Sequence, residues 1–194
     1  MLVVRHGRTL YNQQRRFLGR TDLPLDSVGR AQATAWRPWR GAFACVVSSP
    51  LKRATMTAAS LADRLEIDEA FAELDQGDLE GQLVAEAMRT YPSFFEAWAE
   101  DPGAVRVPGG GRMDELRDHA LAALHRWARC HRGQAIAVVS HQLVLASLLA
   151  TIEDAPLSDW RRFALPNAGG ALLAYDGERF TVAQRPLAPP DSAL

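Results

Sequence analysis

Residues 1–9 read MLVVRHGRT. The apolar run Leu2–Val4 ends abruptly in Arg5 and His6, and a glycine, Gly7, follows. A short apolar run without alternation is how a strand buried on both faces of a parallel sheet reads. Two further runs share this character: ACVV at 44–47, before Ser48, and AIAVV at 135–139, before Ser140. Helical patterns lie between and after them: SVGRAQATAWRPW (27–39), PLKRATMTAASLADRL (50–65), MDELRDHALAALHRWARCH (113–131) and QLVLASLLATI (142–152). In the second, Ser49 is expected as N-cap and Pro50 at the first helical position. GGALLAYD and RFTVAQR, at 169–176 and 179–185, read as a further strand or hairpin. Strands alternating with helices predict an α/β domain with a largely parallel sheet, whose ligands bind outside the carboxyl ends of the strands. Those ends carry RHG, SSPLKR and SHQ, so His6, Arg53 and His141 can share one pocket although they are far apart in sequence.

The chain has 194 residues, enough for one domain with a sizeable core. A formal net charge of −1, with no basic block, argues against an electrostatic nucleic-acid binder. The apolar run before Arg5 is too short for the core of a secretory signal, and no stretch approaches a membrane span. A cytoplasmic location is therefore expected. Cys45 and Cys130 form no CxxC, and Cys45, inside ACVV, reads as a buried small hydrophobe. No His/Asp/Glu grouping has metal-ligand spacing, so neither a metal nor another cofactor is expected. His119, His125 and His131 read as structural or surface residues of the long helical pattern, and the tryptophans as packing residues. The last residues, about 187–194, read as a frayed tail.

The expected pocket holds two guanidinium groups, Arg5 and Arg53, and two imidazoles, His6 and His141. Arginine offers a planar fork of donors matched to phosphate. Backbone N–H groups at the start of the helix after Ser140 add anion affinity, and Gly7 allows close backbone approach. The expected ligand is a phosphoryl group. Positive neighbours disfavour imidazolium, and a neutral imidazole is a nucleophile. With phosphate bound, the second histidine can be cationic and donate to an equatorial oxygen. Phosphoryl transfer then needs a proton donor for the leaving oxygen. Segment 73–81, ELDQGDLEG, supplies Glu73, Asp75, Asp78 and Glu80 as candidates.

In order along the chain, RHGRTLYN, FLGRTDLPLDSVGRAQA, SSPLKRATMTA, ELDQGDLEG and VVSHQ resemble the histidine phosphatase superfamily, the phosphoglycerate mutase-like proteins. The resemblance runs from Leu2 to about Asn167. It implies a three-layer α/β/α sandwich with a mainly parallel sheet over 1–194, a phosphohistidine intermediate and no metal. It implies His6 as nucleophile, Arg5, Arg53 and His141 as the rest of the phosphate pocket, and Glu73 as proton donor, with Glu80 structural. Asn12 would support the pocket by hydrogen bonding, Gln142 would offer its backbone N–H, and Arg20 would be a substrate-binding candidate. Arg8, Gly111 and Arg112 depart from the family pattern. Segment 83–112 is the expected cap. It is short beside the insertion of the family's mutases, which favours a phosphomonoesterase acting on a small phosphorylated metabolite. The alternatives are a phosphoglycerate mutase and a non-catalytic phospho-ligand binding module. No nucleic-acid or membrane partner is expected. The oligomeric state, a homodimer included, is left open.

Overall fold

The structure, a computed structural model, describes residues 1–189. The expected strand at the N-terminus is β1 (Leu2–Arg5), followed by α1 (Leu10–Gln13) and α2 (Ser27–Thr34). The helical pattern expected to 39 stops early because Pro38 cannot continue it, and residues 37–39 form a 3-10 turn. Then come β2 (Cys45–Ser48), α3 (Lys52–Ala58), β3 (Glu66–Ile67), α4 (Val84–Thr90), α5 (Pro92–Glu100), α6 (Met113–Cys130), β4 (Ile136–Ser140), α7 (Gln142–Ile152), β5 (Gly170–Tyr175) and β6 (Phe180–Leu187).

The strands lie in the order β3-β2-β4-β1-β5-β6. The first four are parallel, and β5 and β6 add an antiparallel hairpin at one edge. The fold is thus mixed α/β with a mainly parallel sheet. Side chains alternate across it and divide the core in two. Val3, Val47 and Val138 pack on one face with α6 and α7, whereas Leu2, Val4, Val46 and Val139 pack on the other with Trp36 and Ala54 and Ala58 of α3. Two-sided burial explains the runs of apolar residues without alternation. Helix α7 is apolar all round because it is buried from Leu143 to Ala150. Among the described residues no helix is long and apolar enough to cross a membrane.

Three local expectations need correction. Helix α3 begins at Lys52 with Leu51 as N-cap. Ser49 Oγ instead accepts the Leu51 N–H at 3.3 Å, and Pro50 lies before the helix. Cys45 opens β2 and is half-buried rather than buried. Leu187 pairs with Gly170, so the expected tail starts later, and residues 190–194 lie outside the described residues.

Gly7 and Gly29 sit backbone to backbone. A Cβ on Gly7 would stand 2.4 Å from the Gly29 carbonyl oxygen, and one on Gly29 would stand 2.0 Å from that of Arg8. Asp26 caps α2 by accepting the Gly29 N–H at 2.7 Å, and its other oxygen accepts from Arg8 Nε at 2.8 Å. Arg8 is therefore tied to the helix start. Gly29→Ala gains helix propensity of about 1 kcal/mol, yet the clash is with backbone and cannot be relieved by a rotamer change. Urea unfolding should show a net loss of about 1–3 kcal/mol. Unchanged stability would mean that α2 is free to shift away from the Arg5–Arg8 segment.

Candidate active site

The carboxyl ends of three parallel strands are aligned, with Arg5 beside Ser140 and Ser48 beside Val139. His6 and His141, one residue beyond β1 and β4, therefore meet, with ring centroids 5.1 Å apart. Both are buried. His6 Nδ1 lies 2.7 Å from the Gly7 carbonyl oxygen. A carbonyl only accepts, so Nδ1 carries the hydrogen and Nε2 keeps the lone pair. Burial first, then the charges of Arg5 and Arg53, hold the His6 pKa well below its ordinary value, so the ring is neutral.

Arg53 is fully buried. It donates from Nη1 to the Thr21 carbonyl at 2.9 Å, from Nη2 to that of Gly19 at 2.7 Å, and from Nε to His141 Nδ1 at 3.2 Å. His141 Nδ1 is thus an acceptor, and Nε2–H donates to Ser49 Oγ at 2.7 Å. Both nitrogens of His141 are engaged within the chain. Burial and neighbouring arginines push its pKa well down. The expected cationic form belongs to the phosphate-bound site; here the ring is neutral and bonded to Arg53 and Ser49.

The carbonyls that hold Arg53 belong to a loop that is itself held. Glu80 accepts the backbone N–H groups of Gly19, Arg20 and Thr21 at 2.9–3.3 Å. A carboxylate among three amides fixes the loop, and the loop fixes the guanidinium. The other strand end is tied down by segment 165–169. Arg5 Nη1 donates to the Leu165 carbonyl at 2.7 Å, and the His6 carbonyl accepts from Ala168 N and from Asn167 Nδ2. Asn12 Oδ1 accepts from Thr9 and from Asn167, which leaves its own amide nitrogen facing outward from that cluster. Arg5 Nε is buried and has no partner among the described residues.

Glu73 is buried, with its oxygens accepting the N–H of Leu74 at 2.9 Å and of Leu143, in the first turn of α7, at 3.2 Å. Those bonds, Arg53 and Arg5 all favour the carboxylate, but desolvation outweighs them and the pKa is raised. A cavity of about 350 Å³ opens over this group, and Arg5, His6, Asn12, Glu73 and Gln142 are on its wall. Arg53 and His141 are buried behind His6.

Two expected contacts are not made. Gly7 gives its Cβ space to α2, and its N–H donates to Thr57 Oγ1 at 3.0 Å, so it shapes the backbone instead of facing the cavity. Arg20 is exposed and borders a separate groove beside Arg112 and Arg126, and its backbone N–H donates to Glu80. Its charge still contributes to the fields at Arg53 and His141. Gly111 and Arg112 are loop residues: Gly111 N–H donates to the Asp75 carbonyl and Arg112 pairs with Asp114. Ser49, Thr57, Leu165 and Asn167 were not foreseen as site supports. Only Ser49 and Thr57, next to the recognisable SSPLKR stretch, left a trace in the sequence.

The family model of the histidine phosphatase superfamily (branch 1) matches residues 1–186. The chain belongs to that superfamily. It is 33% identical over 191 residues to phosphoglycerate mutase-like protein 4 of Arabidopsis thaliana, covering 94% of this chain and 82% of that protein. It is 29% identical over 185 residues to phosphoserine phosphatase 1 of Hydrogenobacter thermophilus, covering 92% and 88%. A mycobacterial glucosyl-3-phosphoglycerate phosphatase solved in complex with VO3 superposes with a TM-score of 0.85 at 25% identity, over 97% of this chain and 98% of that one.

The Glu80 loop carries a prediction. Glu80→Ala removes the acceptor for three amides and frees the carbonyls that hold Arg53. Phosphate release from an aryl phosphate should fall about ten- to a hundredfold in kcat, the scale of a small misplacement of a reacting group. Glu80→Gln keeps one acceptor oxygen and should recover part of the loss. An unchanged kcat in folded Glu80→Ala would show that the loop holds Arg53 without it.

The histidines carry a second. Unfolding returns His6 and His141 to an ordinary value near 6.5. Below that pH the unfolded chain binds more protons, so their contribution is full above about 6.5 and is lost as pH falls. The slope is up to about 1.4 kcal/mol per pH unit for each group. Glu73 has the opposite sign: its raised pKa stabilises the fold at low pH, and that contribution is lost as pH rises through the folded value. Urea melts from pH 7 to 5 should show falling stability, with a shallower fall in His6→Gln. Parallel curves would mean that His6 is not the group titrating.

Proposed function

We propose that this protein is a phosphomonoesterase that hydrolyses a small phosphorylated metabolite through a phosphohistidine on His6. The observation that carries the reading is the pairing at the cavity floor. A neutral imidazole with its Nε2 lone pair free feels the charge of two guanidinium groups and shares the cavity wall with a buried carboxyl whose pKa is raised. The phosphatase relatives and the VO3-bound neighbour are of the same family and support hydrolysis as the outcome.

In the proposed mechanism the phosphoryl group sits against the Arg5 guanidinium on the cavity wall, in the field of Arg53. The Gln142 backbone N–H at the start of α7 and the Asn12 amide add donors. Nε2 of His6 attacks phosphorus. The bond to the ester oxygen breaks, and that oxygen takes the proton of neutral Glu73 and leaves as an alcohol. The resulting Glu73 carboxylate then takes a proton from water. The hydroxide so formed attacks the phosphohistidine, inorganic phosphate leaves, and His6 and Glu73 return to their starting states. The guanidinium groups neutralise the charge that the phosphoryl oxygens develop. His141 acts as a positioning residue for Arg53, and segment 83–112 is the cap over the site. The free thiols of Cys45 and Cys130 suit a reducing compartment, and the proposal places the enzyme in the cytoplasm.

Brief reaction with ³²P-labelled ester, followed by a quench, should leave acid-labile, base-stable label on His6. Glu73→Gln should slow hydrolysis of an alkyl phosphate about 10²–10⁴-fold. An aryl phosphate, whose leaving oxygen needs less protonation, should be slowed much less. Full turnover in His6→Ala, or equal losses on both esters in Glu73→Gln, would overturn the assignments.

A further inference from the structure

The half of the cavity wall away from His6 is of a different chemistry. Phe17 and Phe95 stack with centroids 5.9 Å apart, Phe95 meets Phe94 edge-on at 4.9 Å, and Phe94 meets Trp98 at 5.5 Å. All four line the cavity. At its rim Val84 and Met88, one turn apart on α4, also line it, yet they are 36% and 52% exposed. Large apolar side chains left in water at the mouth of a cavity mark a surface that a ligand covers.

Among the polar groups in this half, Arg16 is engaged, whereas Trp160 Nε1 is buried without a partner among the described residues. Arg16 donates from Nε to Gln14 Oε1 at 2.9 Å and from Nη1 to the Gly81 carbonyl at 2.7 Å. The Arg161 guanidinium lies over the Trp160 ring at 4.7 Å, and Gln76 is a neutral amide. The carboxylate on the wall is Glu73, whose oxygens accept two backbone amides. A substrate ammonium would therefore meet two arginines and no free counter-charge. The hydroxyls of a sugar would lose water against phenyl rings with few partners in exchange, which is costly for each group. A hydrocarbon body would bury apolar surface against apolar surface.

We infer that the substrate is the phosphate monoester of a hydrophobic primary alcohol, with an aromatic or branched hydrocarbon body and no ammonium group, seated on the Phe17–Phe95–Phe94–Trp98 wall and leaving past Val84 and Met88. This rests on the phosphomonoesterase reading and names the substrate class of that site. It departs from an amino-acid or sugar phosphate.

The test compares esters of primary alcohols, so that leaving-group acidity does not decide the ranking. Phosphate release by the purified chain is measured on 2-naphthylmethyl phosphate, cyclohexylmethyl phosphate, O-phosphoserine and glucose 6-phosphate. The two hydrophobic esters should exceed the two polar ones in kcat/KM by about ten- to a hundredfold, the range for matched against mismatched groups in an apolar pocket. Met88→Ser should narrow that preference severalfold. Phosphoserine or glucose 6-phosphate turned over as well as the hydrophobic esters, or a preference indifferent to Met88→Ser, overturns the inference and leaves the phosphatase reading standing. No release from any ester overturns that reading, and the inference with it.

Discussion

The site is organised around one buried cation. Arg53 has no exposed surface, and a guanidinium taken out of water is strongly destabilising unless its donors are satisfied. Its pKa is lowered to about 10, desolvation being only partly offset by Glu73, Glu80 and Asp22, so it stays charged at neutral pH. Two backbone carbonyls and an imidazole receive its hydrogens. Each of those acceptors is fixed in turn: the carbonyls by the Glu80 clamp on the loop, the imidazole by Ser49. The need to satisfy one buried cation thus ties together strand ends and a loop from distant parts of the chain.

The same desolvation sets the protonation of the reacting groups. It drives His6 and His141 toward neutral by lowering their pKa values, and drives Glu73 toward neutral by raising its own. The arginines reinforce the first effect and oppose the second, and burial dominates both. Nucleophilic attack with a protonated leaving group requires a neutral base and a protonated acid, and both shifts run in that direction. They arise here from burial rather than from pairing of the two groups with each other.

Much of this was legible in the sequence where side-chain type carries the information. Leu2–Val4, Val46–Val47 and Ile136–Val139 gave the parallel strands because burial on both faces leaves no alternation. Arg5, His6, Arg53 and His141 followed from the ends of those strands. What was not legible runs through backbone atoms. Nothing in FLGRTD marks the Gly19 and Thr21 carbonyls as acceptors for Arg53, and nothing in ALPNAGG marks Leu165 or Ala168 as supports of the first strand. Gly7 illustrates the difference. Its glycine signal was real, but the atom that needs the space is the Gly29 carbonyl, a contact that only packing reveals. Arg20 shows the converse: a charged residue in a recognisable stretch contributes its backbone N–H to the Glu80 clamp while its side chain borders a separate groove.

The two halves of the cavity are carried by different elements. The polar half is carried by strand ends, the start of α7 and segment 165–169, all hydrogen-bonded across long sequence distances. The apolar half is carried largely by α4 and α5, with Phe17 stacked on Phe95. A change of side chain on α4 or α5 alters the shape offered to the alcohol without disturbing any hydrogen bond that holds Arg53, His141 or Glu73. The Glu80 loop is tied to that wall at one point, where Phe17 exchanges backbone hydrogen bonds with Gly81 and Gln82. Relatives that share the RHG strand and the buried arginine can therefore differ widely in the alcohol they release. On the substrate class inferred above, the choice made by this chain is written in Phe17, Met88, Phe94, Phe95 and Trp98 rather than in the residues by which its family is recognised.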